Sequence, residues 1–310
     1  MIARAIARET VIEAKDLTIR FGDFTAVDKL NIEIFAGQIY GFLGPNGSGK
    51  STTIRAMCGI LTPASGSCKV LGHDAATDGE AVKQHIGYMS QRFSLYPDLT
   101  VQENLSFYAN IYGVTGHGAR QKIAEILALT GLEDQPDALT GSLSSGIRQR
   151  LALGCAILHK PQILFLDEPT SGVDPKSRKL FWQIIYQLAA EGTTILITTH
   201  FMDEAEHCDA VGFISDSKLV ATGSPTQLKA SIQGTLVNIP AADSMGMMAQ
   251  LAQRNIQALD SYTYGKNLRL LMNDEQLAAL SGSGLNYAVM QPSMEDVFAY
   301  YVRMQRKNHE

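Results

Sequence analysis

The sequence predicts an α/β fold built around a parallel β-sheet, and three observations indicate this class. A glycine-rich segment, residues 44–52, follows the short apolar run Ile39–Leu43 and leads into residues of helical character. The run Ile163–Asp167 is apolar up to its last residue, as expected of a parallel strand that is buried on both faces. Beyond residue 174, apolar runs alternate with helical segments, which is the pattern of βαβ units.

The first elements predicted along the chain are two antiparallel strands. Residues 12–21 alternate apolar and polar side chains, and residues 30–35 supply the partner strand. These two strands precede the run Ile39–Leu43, which we predict to be the first strand of the parallel sheet.

The segment after that strand matches the phosphate-loop pattern G-x-x-x-x-G-K-[ST]. Its glycines let the backbone curl so that N–H groups point at a polyphosphate, and the following helix adds the positive end of its dipole. We expect Lys50 to reach the β- and γ-phosphates and the Ser51 hydroxyl to bind Mg²⁺. A simple turn between strand and helix would leave this Lys-Ser pair without a purpose. The residues expected to contact the nucleotide here are Gly44, Pro45, Asn46, Gly47, Ser48, Gly49, Lys50, Ser51 and Thr52.

Residues 92–160 are predicted to be mainly helical. Thr100 and Glu103 have the spacing of a capping box, which starts one helix. A second helix is predicted over residues 120–129, where Gly131 stops it, and a third over residues 151–158.

Two carboxylates follow the apolar run that begins at Ile163. We expect Asp167 to hold Mg²⁺ through water, as in other phosphate-loop nucleotidases. Glu168 is expected to polarise a water molecule for in-line attack, since hydrolysis needs a base within reach of that water. On its own this pair also fits a solvent-exposed strand end, and the phosphate loop favours the catalytic interpretation.

The later elements follow from caps and periodicity. Asp174 and Pro175 start a helix that runs to about residue 190, and the strand Thr194–Thr199 and a helix over Met202–His207 come next. Gly223, Ser224 and Pro225 mark a linker. Beyond it, strands at 236–239, 268–272 and 287–289 and helices at 247–254 and 275–280 predict a small βαββαβ module, and Ser293 is expected to cap a terminal helix.

The segment Leu143-Ser144-Ser145-Gly146-Ile147 resembles the LSGGQ signature of ATP-binding-cassette (ABC) ATPases. Other segments then match the family in its own order. Gln91, after Ile86–Met89, resembles the Q-loop glutamine, residues 171–175 resemble the D-loop, and His200 resembles the switch histidine. Phe21 stands where the family has an aromatic side chain that stacks on adenine. The resemblance covers residues 10–230.

This resemblance implies a phosphate-loop NTPase of ABC type with an antiparallel β subdomain, a helical signature subdomain and a C-terminal α+β module. It implies that Lys50, Gln91, Glu168 and His200 are catalytic, and that Ser51, Gln91 and Asp167 hold Mg²⁺. It also implies that Ser144, Gly146 and Asp174 contact ATP across a dimer of two chains, most simply a homodimer. The implied domains are a cassette at 1–232, with its helical subdomain at about 92–160, and an accessory domain at 233–310.

Two residues depart from the family signature. Ser145 replaces a glycine and Ile147 replaces the glutamine, a position that varies freely in the family. The Ser145 side chain lies where the backbone should approach a γ-phosphate. We expect it either to crowd that phosphate or to be harmless.

The composition argues against several classes of function and partner. The net charge of −5 over 310 residues argues against a nucleic-acid partner. No apolar run approaches the roughly 20 residues that a membrane helix needs. Cysteines 58, 68, 155 and 208 lack C-x-x-C spacing, and we expect reduced, mostly buried thiols. The histidines other than His200 show no metal-ligand pattern.

These observations favour an ATP-hydrolysing subunit that energises a separate membrane permease from the cytoplasmic face of the membrane. Residues 291–298 resemble the tail of exporter-type subunits, which indicates export. The alternative is a soluble ABC ATPase that acts on nucleic acid or ribosomes. A phosphate-loop kinase or GTPase lacks the signature, and the sequence has no N-K-x-D pattern. For Phe107, Tyr108 and Tyr112 we favour core packing. The alternative is that residues 93–96 and the neighbouring helix start form a groove for the permease.

Overall fold

A computed structural model of the chain describes residues 9–91 and 94–307. The chain divides between Ser224 and Pro225 into two compact units. Arg92 and Phe93, with which the predicted helical subdomain and the predicted permease groove begin, lie outside the described residues. No helix in the described ranges combines the length and the hydrophobicity needed to cross a membrane.

The first unit contains ten strands and six α-helices within its described residues. The strands are β1 Thr10–Phe21, β2 Phe24–Phe35, β3 Ile39–Leu43, β4 Ser65–Val70, β5 His73–Asp74, β6 Ile86–Met89, β7 Ile163–Asp167, β8 Thr194–Thr199, β9 Ala210–Ser215 and β10 Lys218–Gly223. The helices are α1 Lys50–Met57, α2 Gly79–His85, α3 Val101–Ile111, α4 Gly116–Thr130, α5 Ser145–Ile157 and α6 Pro175–Ala190, with short 3₁₀ helices at Thr140–Ser142 and Met202–His207.

The strands of this unit form two sheets. In the antiparallel sheet, with order β2-β1-β4-β5, β1 pairs with β2 as the sequence predicts. Strand β2 begins at Phe24 rather than at residue 30, because the hairpin pairs Phe21 with Phe24 and Arg20 with Thr25. The central sheet has the order β10-β9-β3-β8-β7-β6, and all its strands are parallel except β10.

The parallel arrangement collects the predicted functional segments at one edge. Parallel strands end on the same side of a sheet, and ligands bind in the crevice beyond those ends. The phosphate loop follows β3, Asp167 ends β7 and His200 follows β8, while Gln91 lies two residues beyond the end of β6. Residues that are far apart in sequence are therefore neighbours along this edge.

Helices α3, α4 and α5, which lie between β6 and β7 in the sequence, pack on one another. Helix α3 has the predicted capping box of Thr100 and Glu103. Its buried Asn104, which the sequence did not single out, donates to the Tyr96 carbonyl oxygen at 3.0 Å and to Thr140 Oγ1 at 2.9 Å. This amide ties the chain before α3 to the chain before α5.

The starts of two helices in this unit need correction. Helix α5 begins at Ser145 rather than at residue 151, because the Ser144 hydroxyl caps it by accepting from the Ile147 backbone N–H. Helix α4 begins at Gly116 rather than at residue 120. In both cases apolar periodicity located the helix but not its start. The predicted helix Met202–His207 is present with these bounds, as a 3₁₀ helix.

All four cysteines are buried free thiols, which confirms the expectation for Cys58, Cys68, Cys155 and Cys208. Burial raises the pKa of each thiol above its usual range, to about 12 for Cys68. They therefore behave as core residues.

The second unit has the predicted βαββαβ order, flanked by two further helices. Its elements are α7 Pro225–Ala230, β11 Thr235–Pro240, α8 Ser244–Gln253, β12 Asp260–Tyr264, β13 Asn267–Met272, α9 Asp274–Ser281, β14 Ala288–Met290 and α10 Met294–Lys307. The antiparallel sheet order β12-β13-β11-β14 is the ferredoxin-like arrangement. No range was predicted from the sequence for strand β12, the second strand of this order.

Helix α10 is held to this sheet by a buried ion pair. Arg269 of β13 and Tyr262 of β12 both donate to Asp296 Oδ1. The second carboxylate oxygen of Asp296 accepts from the Ser293 backbone N–H at 2.8 Å, and Ser293 caps the helix as predicted. Asp296 lies in the exporter-like tail segment, so this part of the tail has a packing role within the second unit.

Candidate active site

The phosphate loop is shaped by close backbone packing. Gly49 has φ of +106°, a conformation that favours glycine, and a Cβ there would clash with the Ala26 carbonyl oxygen. A Cβ on Gly44 would clash with the Ile214 carbonyl oxygen. The two glycines therefore allow the loop to turn against β2 and β9 directly before α1 begins at Lys50.

Lys50 is held at the centre of the site, with only 4% of its surface exposed. Its ammonium donates to the carbonyl oxygens of Gly44 at 2.9 Å and Pro45 at 3.0 Å, and it lies 3.3 Å from Glu168 Oε1. Burial lowers the pKa of Lys50, and the negative charge of Glu168 acts in the opposite direction. The lysine is therefore a buried cation whose main electrostatic partner is the predicted base.

Glu168 occupies an unusual backbone position directly after β7. Its φ of +48° is rare for a residue with a side chain. The backbone N–H is held there by Thr198, donating to Oγ1 at 2.9 Å and to the carbonyl oxygen at 3.1 Å. This conformation turns the Glu168 side chain toward the phosphate loop.

The carboxylate of Glu168 brings the predicted catalytic residues together. Its Oε2 accepts a hydrogen bond from Gln91 Nε2 at 3.2 Å and lies 3.2 Å from His200 Nδ1, while Oε1 faces Lys50. Side chains from three other segments of the chain thus meet at this carboxylate.

Asp167 forms a second cluster beside the first. Its Oδ1 accepts from Ser51 Oγ and from Thr198 Oγ1, both at 2.8 Å. Its Oδ2 is buried and has no protein partner among the described residues. A buried carboxylate oxygen without a donor, next to a hydroxyl, is a suitable ligand for a hard cation. The sequence predicted Asp167 and Ser51 as ligands but missed Thr198, a polar side chain near the end of an apolar strand.

A cavity of about 350 Å³ opens beside these clusters, lined by the phosphate loop, Gln91, Glu168 and two phenylalanines. Phe21, the predicted adenine-stacking residue, lines this cavity and is 52% exposed, and Phe24 is 61% exposed. Phe24 was not predicted, although the sequence shows a second aromatic residue three positions after Phe21 and close to Gly22.

The signature residues Ser144 and Gly146 and the D-loop residue Asp174 are not among the residues that line this cavity. Ser144 is exposed at the start of α5. Asp174 is exposed as the N-cap of α6, where it accepts from the Ser177 backbone N–H at 3.0 Å. A Cβ on Gly146 would lie 2.5 Å from the Cβ of Ser177, so the glycine permits close contact between α5 and α6.

Comparison with known proteins identifies the family of this chain. Residues 27–171 match the family described as ABC transporter. The Nod factor export ATP-binding protein I of Burkholderia pseudomallei is 36% identical over 294 residues, which cover 93% of this chain and 95% of that protein. The chain belongs to the ABC transporter ATP-binding family.

Other relatives extend the comparison. The probable multidrug ABC transporter ATP-binding protein YbhF of Escherichia coli K12 is 51% identical over 222 residues, or 72% of this chain. The matched part of this chain spans only 38% of the length of YbhF. The solved structure of cbiO1 from Clostridium perfringens, part of the transporter complex cbiONQ, is 28% identical with a TM-score of 0.67, covering 72% of this chain and 92% of that chain. A dimeric post-hydrolysis cassette bound to ADP and Pi is 25% identical with a TM-score of 0.63, covering 69% and 98%.

Proposed function

We propose that this ABC subunit hydrolyses ATP and thereby energises a separate membrane permease that exports its substrate. One observation carries the proposal. The Glu168 carboxylate lies within 3.3 Å of Lys50 and is in contact with Gln91 and His200, beside a cavity lined by the phosphate loop. This arrangement combines a phosphate-binding cation with a base on a rigid sheet edge.

The reaction follows from these contacts. The phosphates of ATP would compete with Glu168 for the buried ammonium of Lys50. Once released from Lys50, Glu168 is free to accept a proton from a water molecule while the water oxygen attacks the γ-phosphorus and the bond to the β–γ bridging oxygen breaks. Lys50 and His200 stabilise charge on the phosphoryl group that is transferred.

Mg²⁺ fits the neighbouring cluster. Ser51, Asp167 and Gln91 would hold the ion, and the unpartnered Oδ2 of Asp167 supports this assignment. When bound, the ion would neutralise charge on the β- and γ-phosphates.

A second chain would complete the site. Ser144, Gly146 and Asp174 lie outside the cavity lining, while the family resemblance assigns them to ATP contact. We therefore propose a head-to-tail homodimer with two ATP molecules sandwiched between phosphate loop and signature. The likeness to a dimeric cassette with ADP and Pi supports this arrangement.

The permease and its location are inferred from relatives. The relatives described above are named for multidrug transport and for Nod factor export. We propose peripheral attachment at the cytoplasmic face of the membrane. Residues 94–96 and the start of α3 belong to the proposed docking groove, and the Tyr108 hydroxyl donates to the Ser94 carbonyl oxygen. Tyr112 stacks on His159 with 3.9 Å between the ring centroids, which supports the packing role of this aromatic side chain.

Glu168→Gln tests the proposal. It keeps size and hydrogen bonding but removes basicity, so turnover should fall by ~10²–10⁴ while ATP binding remains. The closed dimer should then accumulate with ATP and Mg²⁺ in size-exclusion chromatography. Adding Ser144→Arg should abolish that dimer, and Glu191→Gln, on an exposed carboxylate, is the control.

Two results would contradict parts of the proposal. Turnover of Glu168→Gln at the parent rate would exclude Glu168 as the base. A slow variant that stays monomeric would remove the homodimer and would indicate a different cassette partner.

A further inference from the structure

Ser145, where the signature departs from the family pattern, makes a specific contact within its own chain. Its hydroxyl donates to the carbonyl oxygen of Gly172 at 3.2 Å. Gly172 belongs to the segment that follows Glu168, here called the bridge segment, residues 170–172. A glycine at position 145 has no hydroxyl and cannot make this hydrogen bond. The substitution therefore adds a link between signature and bridge segment.

The other end of the bridge segment is also held. Thr170 is 1% exposed, and its hydroxyl donates to Glu204 Oε1 at 2.6 Å. The buried Glu204 lies 3.6 Å from the Nε atom of Arg178. The Arg178 guanidinium in turn stacks over the ring of Phe201, 4.3 Å from its centroid. Phe201 directly follows His200, so Thr170 is connected to the segment that carries the switch histidine.

The contact at Gly146 adds a second restraint. Since a Cβ on Gly146 would overlap Ser177, the start of α5 lies directly against the start of α6. Helix α6 follows the bridge segment after Asp174, its N-cap. The signature thus touches the chain after Glu168 at two places, Gly172 and Ser177.

We propose that Ser145 is a positioning residue that couples the two ATP sites of the dimer. Through Gly172 and Thr170 it connects the signature, which faces the ATP of the partner chain, to the segments that hold Glu168 and His200 at the chain's own ATP. The inference rests on the proposed ATP-sandwich dimer. When the signature of one chain closes on the ATP of its partner, these contacts then favour the catalytic position of Glu168 at the chain's own ATP.

Turnover and dimerisation separate this role from a direct contact with nucleotide. Ser145→Ala removes the hydroxyl but keeps the Cβ, and kcat should fall about three- to tenfold, which the net contribution of one hydrogen bond allows. ATP-driven dimerisation, measured in a Glu168→Gln background, should be unchanged because Ser144 and Gly146 remain. Ser145→Thr retains a hydroxyl and should restore kcat.

Two further variants sharpen the experiment. Ser142→Ala is the matched control, because its hydroxyl donates to the Leu139 carbonyl oxygen at 2.7 Å in the same region of the chain. It should leave kcat at the parent value. Ser145→Gly restores the family pattern and should be as slow as Ser145→Ala. If Ser145 only crowded the γ-phosphate, Ser145→Gly would be faster than the parent.

Thr170→Val tests the other end of the bridge segment. It replaces the hydroxyl by a methyl group of similar size and should also lower kcat. Because both variants interrupt one connection, their effects on kcat should be less than multiplicative in the double variant. Independent, multiplicative effects would contradict a shared route through residues 170–172.

Other results overturn the proposal outright. The first is a kcat of Ser145→Ala equal to that of the parent, and the second is a kcat of Ser145→Thr as low as that of Ser145→Ala. The third is a loss of dimerisation in parallel with the loss of kcat, which would make Ser145 a nucleotide contact. Failure of the proposed function is seen separately. In that case the Glu168→Gln variant with Ser145 intact would itself hydrolyse ATP normally or form no dimer.

Discussion

The two surfaces of the first unit that the family resemblance assigns to ATP differ in how complete they are. At the sheet edge, Lys50, Asp167 and Glu168 are each less than 10% exposed, and their side chains are bonded to one another or to the phosphate loop. At the signature, Ser144 is exposed, and its hydroxyl accepts only a 3.4 Å hydrogen bond that caps its own helix, among the bonds of the described residues. The first surface is organised within one chain, whereas the second presents polar groups outward. This difference supports our proposal that ATP binding by one chain and closure of the dimer on ATP are separable steps.

The largest expected effect is at the self-contained edge. Lys50→Ala removes a buried cation that would contact the phosphates and also leaves Glu168 buried without its main partner. Since hydrogen bonds to charged groups are each worth about 1.5–3 kcal/mol, ATP affinity should fall by at least ~10²-fold. Titration with a fluorescent ATP analogue measures this loss.

Lys83→Ala is the control for Lys50→Ala. Lys83 is an exposed lysine that pairs with Glu80 at 2.7 Å, so its loss should leave affinity unchanged. Near-normal binding and turnover in Lys50→Ala would refute the assignment of the sheet edge as the nucleotide site.

A smaller effect is expected at the signature surface. Gly146→Ala places a methyl group against Ser177 and should shift α5 away from α6, at a cost of about 1–3 kcal/mol. Turnover and ATP-driven dimerisation should fall about tenfold, while ATP binding by the single chain should persist.

Ser177→Gly in the same chain removes the overlapping atoms and should recover much of that loss. If Gly146→Ala instead abolished ATP binding, the two surfaces would not be separable, and the comparison between them would fail.

The smallest effect is expected from removing the second unit. We propose that the units fold independently, so a chain ending at Ser224 should bind ATP within about twofold of the parent. Ser224 is a better end point than residue 232, the predicted domain boundary. Residues 225–232 belong to the second unit, where the Ser231 hydroxyl bonds to the Tyr301 hydroxyl at 2.6 Å. Nucleotide titration and thermal unfolding check this, and loss of ATP binding would contradict it.

Local patterns determined much of this protein. The phosphate loop, the carboxylates at the end of β7, the antiparallel β1–β2 pair and the βαββαβ order were all predictable, because each depends on residues close together in sequence. The capping box at Thr100 and the cap at Ser293 have the same local origin. The family resemblance then supplied Gln91 and His200, whose roles no local pattern reveals.

Tertiary structure decided which side chains of these separate segments come into contact. The pairing of Lys50 with Glu168, the support of Asp167 by Thr198 and the bond from Ser145 to Gly172 each join residues from separate elements. No periodicity specifies such contacts, because they exist only once β3, β7 and β8 lie side by side and α5 meets α6. For the same reason the sequence predicted crowding or no effect at Ser145, whereas the folded chain directs its hydroxyl to the backbone of the segment that follows the base.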